Sequence, residues 1–293
     1  MSQHSKPSAV IPANGIDCHM HVFGTLDAYP PSPTRSYTPR VATLESFLAI
    51  LNTIGLTRNV FVQASAYGTD NACMLDAMRI RGPELCRGVV QIDPDIGEAE
   101  LDAMHSLGVR GVRLNIATFS LTDSTAQQDR LHRTIARCAP RGWHVQIFAG
   151  LAMLSDLAPI IEAAPCPIVI DHMGLTQAPL GLDQPGFAML CRWLTLGHIW
   201  VKVSGFYRVS LDASDFTAAI PYARALIAAN PERCVWGTDW PHTGSHGRSQ
   251  ASEPPMIEYR KLDDGVLLDL LAEAAGEHLE KVLVGNPAAL YQF

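Results

Sequence analysis

The stretch Ile16-Asp17-Cys18-His19-Met20-His21-Val22-Phe23-Gly24 decides how the rest of the chain is read. Two histidines two residues apart in an apolar run read as a β-strand, and the period-2 alternation of strand side chains puts both imidazoles on one face. If this strand opens a closed parallel barrel and both rings sit at its mouth, later strand ends must supply the other polar groups of a site. The sequence offers them at His172 and Asp239.

Outward from that strand, apolar spacing predicts strands over 59–65, 88–93, 111–117, 144–148, 167–173, 199–204 and 234–239. Between them it predicts helices over 44–54, 71–81, 98–107, 127–137, 153–163, 187–196 and 216–229, and a last one over 267–275. Near-continuous apolar strands joined by helical crossovers indicate a parallel sheet covered on both faces. Eight such units within 293 residues point to an α/β fold of the (β/α)8 TIM-barrel type. The first strand is followed by no GxGxxG, which weighs against a dinucleotide-binding sheet. Residues 1–14 read as a flexible N-terminal segment and 15–293 as one catalytic barrel domain, with the tail from Gly276 to Phe293 on the barrel exterior. Residues Thr25 to Arg40 are too rich in proline for a helix or central strand and read as an ordered loop leaving the histidine strand. Tyr37 in this loop is placed either to close over a ligand or only to pack the loop.

Composition removes several function classes. The net charge is −7 with scattered basic residues, so no Lys/Arg stripe exists to neutralise a nucleic-acid backbone. An anionic substrate would have to be met by individual arginines. The seven cysteines show no CxxC spacing, which suggests neither a zinc knuckle nor a complete disulfide framework; reduced thiols and a cytoplasmic location are the simpler expectation. The sequence contains neither a signal-peptide pattern nor an apolar run of about 18 residues, so no membrane partner is expected. Oligomeric state is left open.

In a TIM barrel the site lies at the C-terminal strand ends, and polar residues concentrate there. Strand one ends with His19 and His21, strand two with Gln63 and Ser65 followed by Tyr67, and strand four with Arg113 and Asn115. Strand six ends with His172 after Asp171, strand seven with Ser204 followed by Tyr207 and Arg208, and strand eight with Asp239 followed by His242. One strand histidine reads as a core or rim residue; two at i and i+2, with a third and an aspartate on matching strand ends, read as a site. Arg113 lies inside an apolar strand, where an unpaired charge is costly, so it must face a protein carboxylate or an anionic ligand. Its bidentate fit to carboxylates favours the ligand. Arg208, in a loop, is equally compatible with a solvated surface position. Trp193, Trp200 and Trp236 read as core, and Gln91 and Gln146 as fillers of interior layers.

These residues form a recognisable pattern. The HxH on strand one, Ile170-Asp-His-Met-Gly174 and Trp236-Gly-Thr-Asp-Trp-Pro-His242 together resemble the amidohydrolase superfamily. More narrowly, Asp17-Cys-His-Met-His-Val-Phe-Gly24, Val62-Gln-Ala-Ser65 with Gly68-Thr-Asp-Asn71, Gly142-Trp-His144 and Ile170-Asp-His-Met-Gly174 resemble the 2-pyrone-4,6-dicarboxylate lactonase-like family. The likeness runs from about residue 15 to the C-terminus. It implies hydrolysis of a small anionic lactone with His19, His21, His172 and Asp239 as the catalytic group and no metal. In that reading Asp239 is the general base that activates water, imidazole N–H groups of the three histidines stabilise the oxyanion, and Arg113 binds a substrate carboxylate. Ser65, Tyr37, Asn115, Arg208, Tyr67 and His242 complete the expected substrate contacts.

Two departures bear on the substrate. Family members carry a further basic residue on the loop after strand four and a tyrosine at the end of strand five, where this chain has Ala117-Thr-Phe119-Ser and Phe148. A lactone with one carboxylate, a muconolactone or a sugar-acid lactone is therefore expected rather than the pyrone dicarboxylate. No cofactor is expected, because strands four and five offer no bridging carboxylate or lysine for a binuclear centre. A single zinc or manganese on His19, His21 and Asp239 is the alternative. A lactone isomerase or metal-dependent decarboxylase on the same barrel, and a non-catalytic small-acid binder, are the competing functions.

Overall fold

The structure, a computed structural model, describes residues 4–118, 121–212, 214–244 and 254–293. Eight parallel strands pair in sequence order: β1 (Ile16–Met20), β2 (Arg58–Val62), β3 (Cys86–Val90), β4 (Val109–Asn115), β5 (His144–Phe148), β6 (Ile168–Ile170), β7 (Ile199–Lys202) and β8 (Cys234–Val235). The ring closes where Cys18 N donates to Trp236 O at 2.9 Å, Asp239 N to His19 O at 2.8 Å and His21 N to Trp240 O at 2.8 Å. The TIM barrel expected from the alternation is thus the observed fold.

The covering helices are α1 (Leu44–Thr53), α2 (Ala72–Arg81), α3 (Glu98–Ser106), α4 (Ser124–Cys138), α5 (Leu151–Asp156), α6 (Ala158–Glu162), α7 (Phe187–Trp193), α8 (Phe206–Ser210), α9 (Ile220–Ala229), α10 (Asp264–Ala275) and α11 (Asn286–Tyr291). The single helix expected over 153–163 is two, α5 and α6, because Pro159 has no N–H to continue the ladder and sits in the first turn of the second. Residues ahead of β1, read above as a flexible segment, hydrogen bond to the α10 region: Ser5 N donates to Asp263 and Ser8 N and Ala9 N to Asp269.

Two apolar layers hold the barrel. The larger lies between strands and helices. The smaller fills the barrel interior with Ile16, Cys18, Val60, Val62, Val89, Val169, Trp200 and Val235, and Leu290 and Tyr291 of α11 pack into it. The tail expected on the exterior therefore closes the N-terminal end of the barrel: Tyr291 is fully buried, its ring 5.2 Å edge-on from His144. Phe293 then lies under Arg58 and Arg87, whose guanidinium carbons are 5.0 and 4.5 Å from its ring centre. An aromatic-rich tail satisfies the apolar lower mouth of a barrel as well as it would an outer face, so apolar content alone did not distinguish the two.

β1 departs from simple alternation. Between Asp17 and Met20 it advances three residues while β2 advances two, from Asn59 to Phe61. This bulge lets Cys18 join the interior apolar layer while the adjacent His19 also turns inward. Asp17 fixes it to the far strand: its Oδ1 accepts from His19 N at 2.9 Å and Thr238 N at 3.1 Å, and its Oδ2 from the Thr238 hydroxyl at 2.6 Å. Burial pushes Asp17 up to about 7 against the opposing effect of those bonds. Gly237 is required at this junction, because a Cβ there would lie 2.4 Å from His19 N.

Candidate active site

The C-terminal barrel mouth holds a cavity of about 210 Å³ lined by His21, Tyr37, Ser65, Arg113, Asn115, Phe148, Arg208 and Asp239, among others. His19 and His172 lie fully buried beneath it. Inward placement follows from the strands. Val235, Gly237 and Asp239 alternate toward the interior past β8, and Val169 and Asp171 do so past β6. His172 reaches the same centre only because its backbone leaves the extended region, at φ 49°. Asp239 is also left-handed, at φ 64°. Of the eight non-glycine residues in this sparsely populated region among the described residues, these two stand at the candidate centre, held there by their surroundings.

Asp239 is the hub. Its Oδ1 lies 3.7 Å from His19 Nε2 and 3.6 Å from His21 Nε2, and its Oδ2 lies 3.7 Å from His172 Nε2. Oδ2 accepts hydrogen bonds from Arg208 Nε at 2.7 Å and from the Tyr207 hydroxyl. Burial alone would raise the Asp239 carboxyl, but Arg208, His172, His21 and His19 together hold it well below the usual carboxylate range. It is therefore ionised at neutral pH. Burial lowers His172 to about 4 and takes His19 well below the usual imidazole range, the latter with help from Lys202, so both rings are neutral at pH 7.

A second polar group lies directly below. Asp171 Oδ2 accepts from Arg113 Nε at 3.2 Å and Gln146 Nε2 at 2.9 Å, and its Oδ1 is 3.5 Å from Lys202 Nζ and 3.4 Å from His19 Nδ1. Lys202 Nζ donates to Cys18 O at 2.8 Å and Gln146 Oε1 at 2.8 Å, and lies 3.2 Å from His19 Nδ1. Burial opposes the charge of Asp171, yet Lys202, His19 and Arg113 hold its carboxyl well below the usual range. Burial lowers the Lys202 ammonium, with Asp171 pulling the other way.

The structure brings most of the expected residues together and corrects several. Arg113 lines the cavity but is also ion-paired with Asp171, so ligand and protein carboxylate are not alternatives for it. Arg208 is not on a solvated loop; it belongs to α8, its side chain is 9% exposed, and it is bound to Asp239. Tyr37 is buried in the cavity wall, raised by burial against a hydrogen bond with Ser65. Asn115 Oδ1 caps the following turn by accepting from Thr118 N at 3.1 Å.

Tyr67 and His242 are not among the cavity-lining residues. The Tyr67 hydroxyl accepts from Gly24 N at 3.1 Å, with its ring 5.9 Å from that of Phe23, so it braces the β1 loop. His242 Nε2 lies 3.2 Å from Asp264 Oδ1, so the ring faces α10. The His21 reading also changes: its Nδ1 is 2.8 Å from the Val62 carbonyl and must donate there, so in the neutral form of the ring Nε2 is a lone pair and not an N–H. Phe119 and Ser120, expected to replace a basic residue after strand four, lie outside the described residues.

Asp171, Lys202 and Gln146 were not assigned to the site from sequence. The signal for Lys202 was available: a lysine inside Ile199-Trp-Val-Lys202 must find a buried partner for the same reason as Arg113.

The family model described as amidohydrolase matches residues 16–293. The chain belongs to the amidohydrolase family. It is 36% identical to a 2-pyrone-4,6-dicarboxylate hydrolase of Comamonas testosteroni over 98% of this chain and 93% of that one. Identity to a 4-sulfomuconolactone hydrolase of Hydrogenophaga intermedia is 32%, over 96% and 90%. Among solved structures, a putative 2-pyrone-4,6-dicarboxylic acid hydrolase of Pseudomonas putida superposes with a TM-score of 0.76 at 34% identity, covering 96% of this chain and 98% of the other.

Amidohydrolase barrels with an HxH invite a test for a metal. One ligand atom each from His19, His21 and Asp239 lies within 4.8 Å of the others, close enough for a single ion with bonds of about 2.0–2.2 Å. A ligating imidazole donates its second N–H to an acceptor. His21 meets this condition through Val62; His19 Nδ1 has the Lys202 ammonium, a donor, at 3.2 Å and the Asp171 carboxylate, an acceptor, farther off at 3.4 Å. His19, Asp171 and His172 form a second close set, but Asp171 is already held by Arg113 and Gln146. The donor spacing fits a metal, while the nearer of the two neighbours of His19 Nδ1, Lys202, opposes one.

Proposed function

We propose that this amidohydrolase opens a small carboxylate-bearing lactone by attack of a water activated by Asp239, without a metal. The observation that carries the reading is an ionised, buried aspartate within 3.7 Å of three imidazoles, under a cavity walled by two arginines. The names of the 36%- and 32%-identical relatives support lactones as the substrate class.

Asp239 Oδ2 is occupied by Arg208 and Tyr207, so Oδ1 is the atom free to take a proton from water. The low basicity imposed by Arg208 is relieved when a substrate carboxylate shares that guanidinium. Arg113 and Arg208 flank Phe148, their guanidinium carbons 5.2 and 5.8 Å from its ring centre, so the three form one wall suited to a flat ring bearing a carboxylate. His19 and His172 have Nε2 atoms without hydrogen-bond partners among the described residues, and these are the donors for the oxyanion. His21, with its Nε2 lone pair, orients the attacking water. Phe148 supplies no hydroxyl, which favours a substrate with one carboxylate.

The test is a panel of muconolactones, sugar-acid lactones and the pyrone dicarboxylate, assayed after chelation with products followed by NMR. Ring-opened hydroxy acids from chelated protein are expected. A migrated ring or released CO2 would replace hydrolysis, and activity that disappears on chelation and returns with zinc or manganese would overturn the metal-free reaction.

A further inference from the structure

We infer that Lys202 is a positioning residue that fixes His19 as the tautomer protonated at Nε2, making this half of the HxH motif a hydrogen-bond donor to the cavity and a poor metal ligand. The inference builds on the reading of His19 and Asp239 as the reacting centre, but its test needs no turnover.

The argument is a count of hydrogen bonds. Lys202 is fully buried on β7, and its ammonium has three N–H groups and no acceptor. Four acceptors lie around it, and the three nearest match its three N–H groups: Cys18 O at 2.8 Å, Gln146 Oε1 at 2.8 Å and His19 Nδ1 at 3.2 Å, with Asp171 Oδ1 farther off at 3.5 Å. The Gln146 amide cannot be reversed, because its Nε2 donates to Asp171 Oδ2 at 2.9 Å. Facing a donor, His19 Nδ1 must offer its lone pair, and a neutral ring then carries its proton on Nε2, toward Asp239.

The competing acceptor for an Nδ1 proton is Asp171 Oδ1, at 3.4 Å. That oxygen is the more distant neighbour of Nδ1, and the Lys202 ammonium 3.5 Å away meets its charge without a proton from the ring. His21, two residues away, is arranged oppositely, its Nδ1 bonded to a carbonyl and its Nε2 left with a lone pair. The bulge in β1 makes the asymmetry possible by turning His19 inward onto Lys202 while leaving His21 above the sheet against β2. One histidine donates and the other accepts. This suits a site that must bind both an oxyanion and a water, and it denies an ion its second imidazole.

Long-range 1H–15N correlation on the wild-type protein, with His19→Gln to assign the ring, reads the tautomer directly. A pyrrole-type Nε2 and a pyridine-type Nδ1 are expected at His19, with the reverse at His21; a pyridine-type Nε2 at His19, or rapid averaging, overturns the inference. In Lys202→Met the donor is gone, so Nδ1–H should turn to Asp171 Oδ1 and the His19 pattern should invert. Cobalt(II), titrated by its visible absorption, should then bind at least about tenfold more tightly than to wild type, the lower end of what outer-shell partners contribute to metal affinity. Equal cobalt affinity in the two proteins would overturn the metal half of the inference. If Lys202→Met does not fold, the wild-type spectrum still decides. Failure of the lactone panel with the expected spectrum would count against the proposed reaction and not against the lock.

Discussion

Replacing Asp239 by asparagine separates the base from its surroundings. The asparagine carbonyl can take the place of Oδ2 and accept from Arg208 Nε, now at 2.7 Å, and from Tyr207. Its amide nitrogen then falls where Oδ1 was, 3.6 Å from the His21 Nε2 lone pair. Cavity geometry is kept while the proton acceptor is lost. General-base catalysis contributes about 10²–10⁴ in rate, so kcat should fall by that factor, or about 2.7–5.5 kcal/mol of barrier. Product affinity should change by less than about tenfold, or 1.4 kcal/mol, because neither Arg113 nor Phe148 moves. The same substitution leaves Arg208 buried without its counter-charge, which costs up to about 3–5 kcal/mol of folding stability, less what its bond to Thr243 O retains. Kinetics should therefore be measured well below the melting transition, with calorimetric titration of the ring-opened product alongside. A loss of kcat under tenfold, or a loss of product affinity equal to the loss of rate, would refute Asp239 as the base.

Arg113→Met should reduce kcat/KM for anionic lactones far more than for neutral ones, and should lower the melting temperature because Asp171 loses a buried partner; equal loss for both substrates would make Arg113 purely structural. Burial leaves His172 and His144 with folded values of about 4 and about 3 against 6.5 when unfolded. These depressed values mean that the unfolded chain binds the extra protons. The stabilisation is fully present above pH 6.5 and is lost on acidification, by about 1.4 kcal/mol per pH unit for each ring. Urea unfolding at pH 7, 6 and 5 should show it, and constant stability over that range would contradict it. Tyr291→Phe removes a buried hydroxyl with no partner among the described residues and should stabilise the fold by about 1 kcal/mol in thermal melts; a comparable loss would mean the hydroxyl is bonded.

The sequence carried the barrel because apolar strands and amphipathic helices alternate with a period that few other folds share. It carried the meeting of His19, His21, His172 and Asp239 at one barrel mouth because each ends a strand on the same side. What it did not carry depends on contacts between distant elements. Asp171 looked like the neighbour of a more interesting histidine, since only the φ of 49° at His172 lets two consecutive residues face one centre. Tyr67 and His242 sit on the correct end of the barrel, but their rings turn to Gly24 and Asp264, a choice made by side-chain rotamers that strand ends do not specify. Arg208 was ambiguous for the same reason, since a five-residue helix beyond β7 gives little periodicity to read.

The buried tail has a consequence for the electrostatics of the opposite end. Tyr291 packs on His144, which shares the inner face of β5 with Gln146, which in turn holds Lys202 and Asp171 below His19. Gly111 lets this stack form, as a Cβ there would lie 2.4 Å from the His144 ring. Charges along such a column interact strongly only while water is kept from it. The last helix therefore acts as an insulating stopper: loosening it would let water in from below, weaken the pull of Lys202 on His19, and soften the opposite mouth of the barrel without changing a residue there.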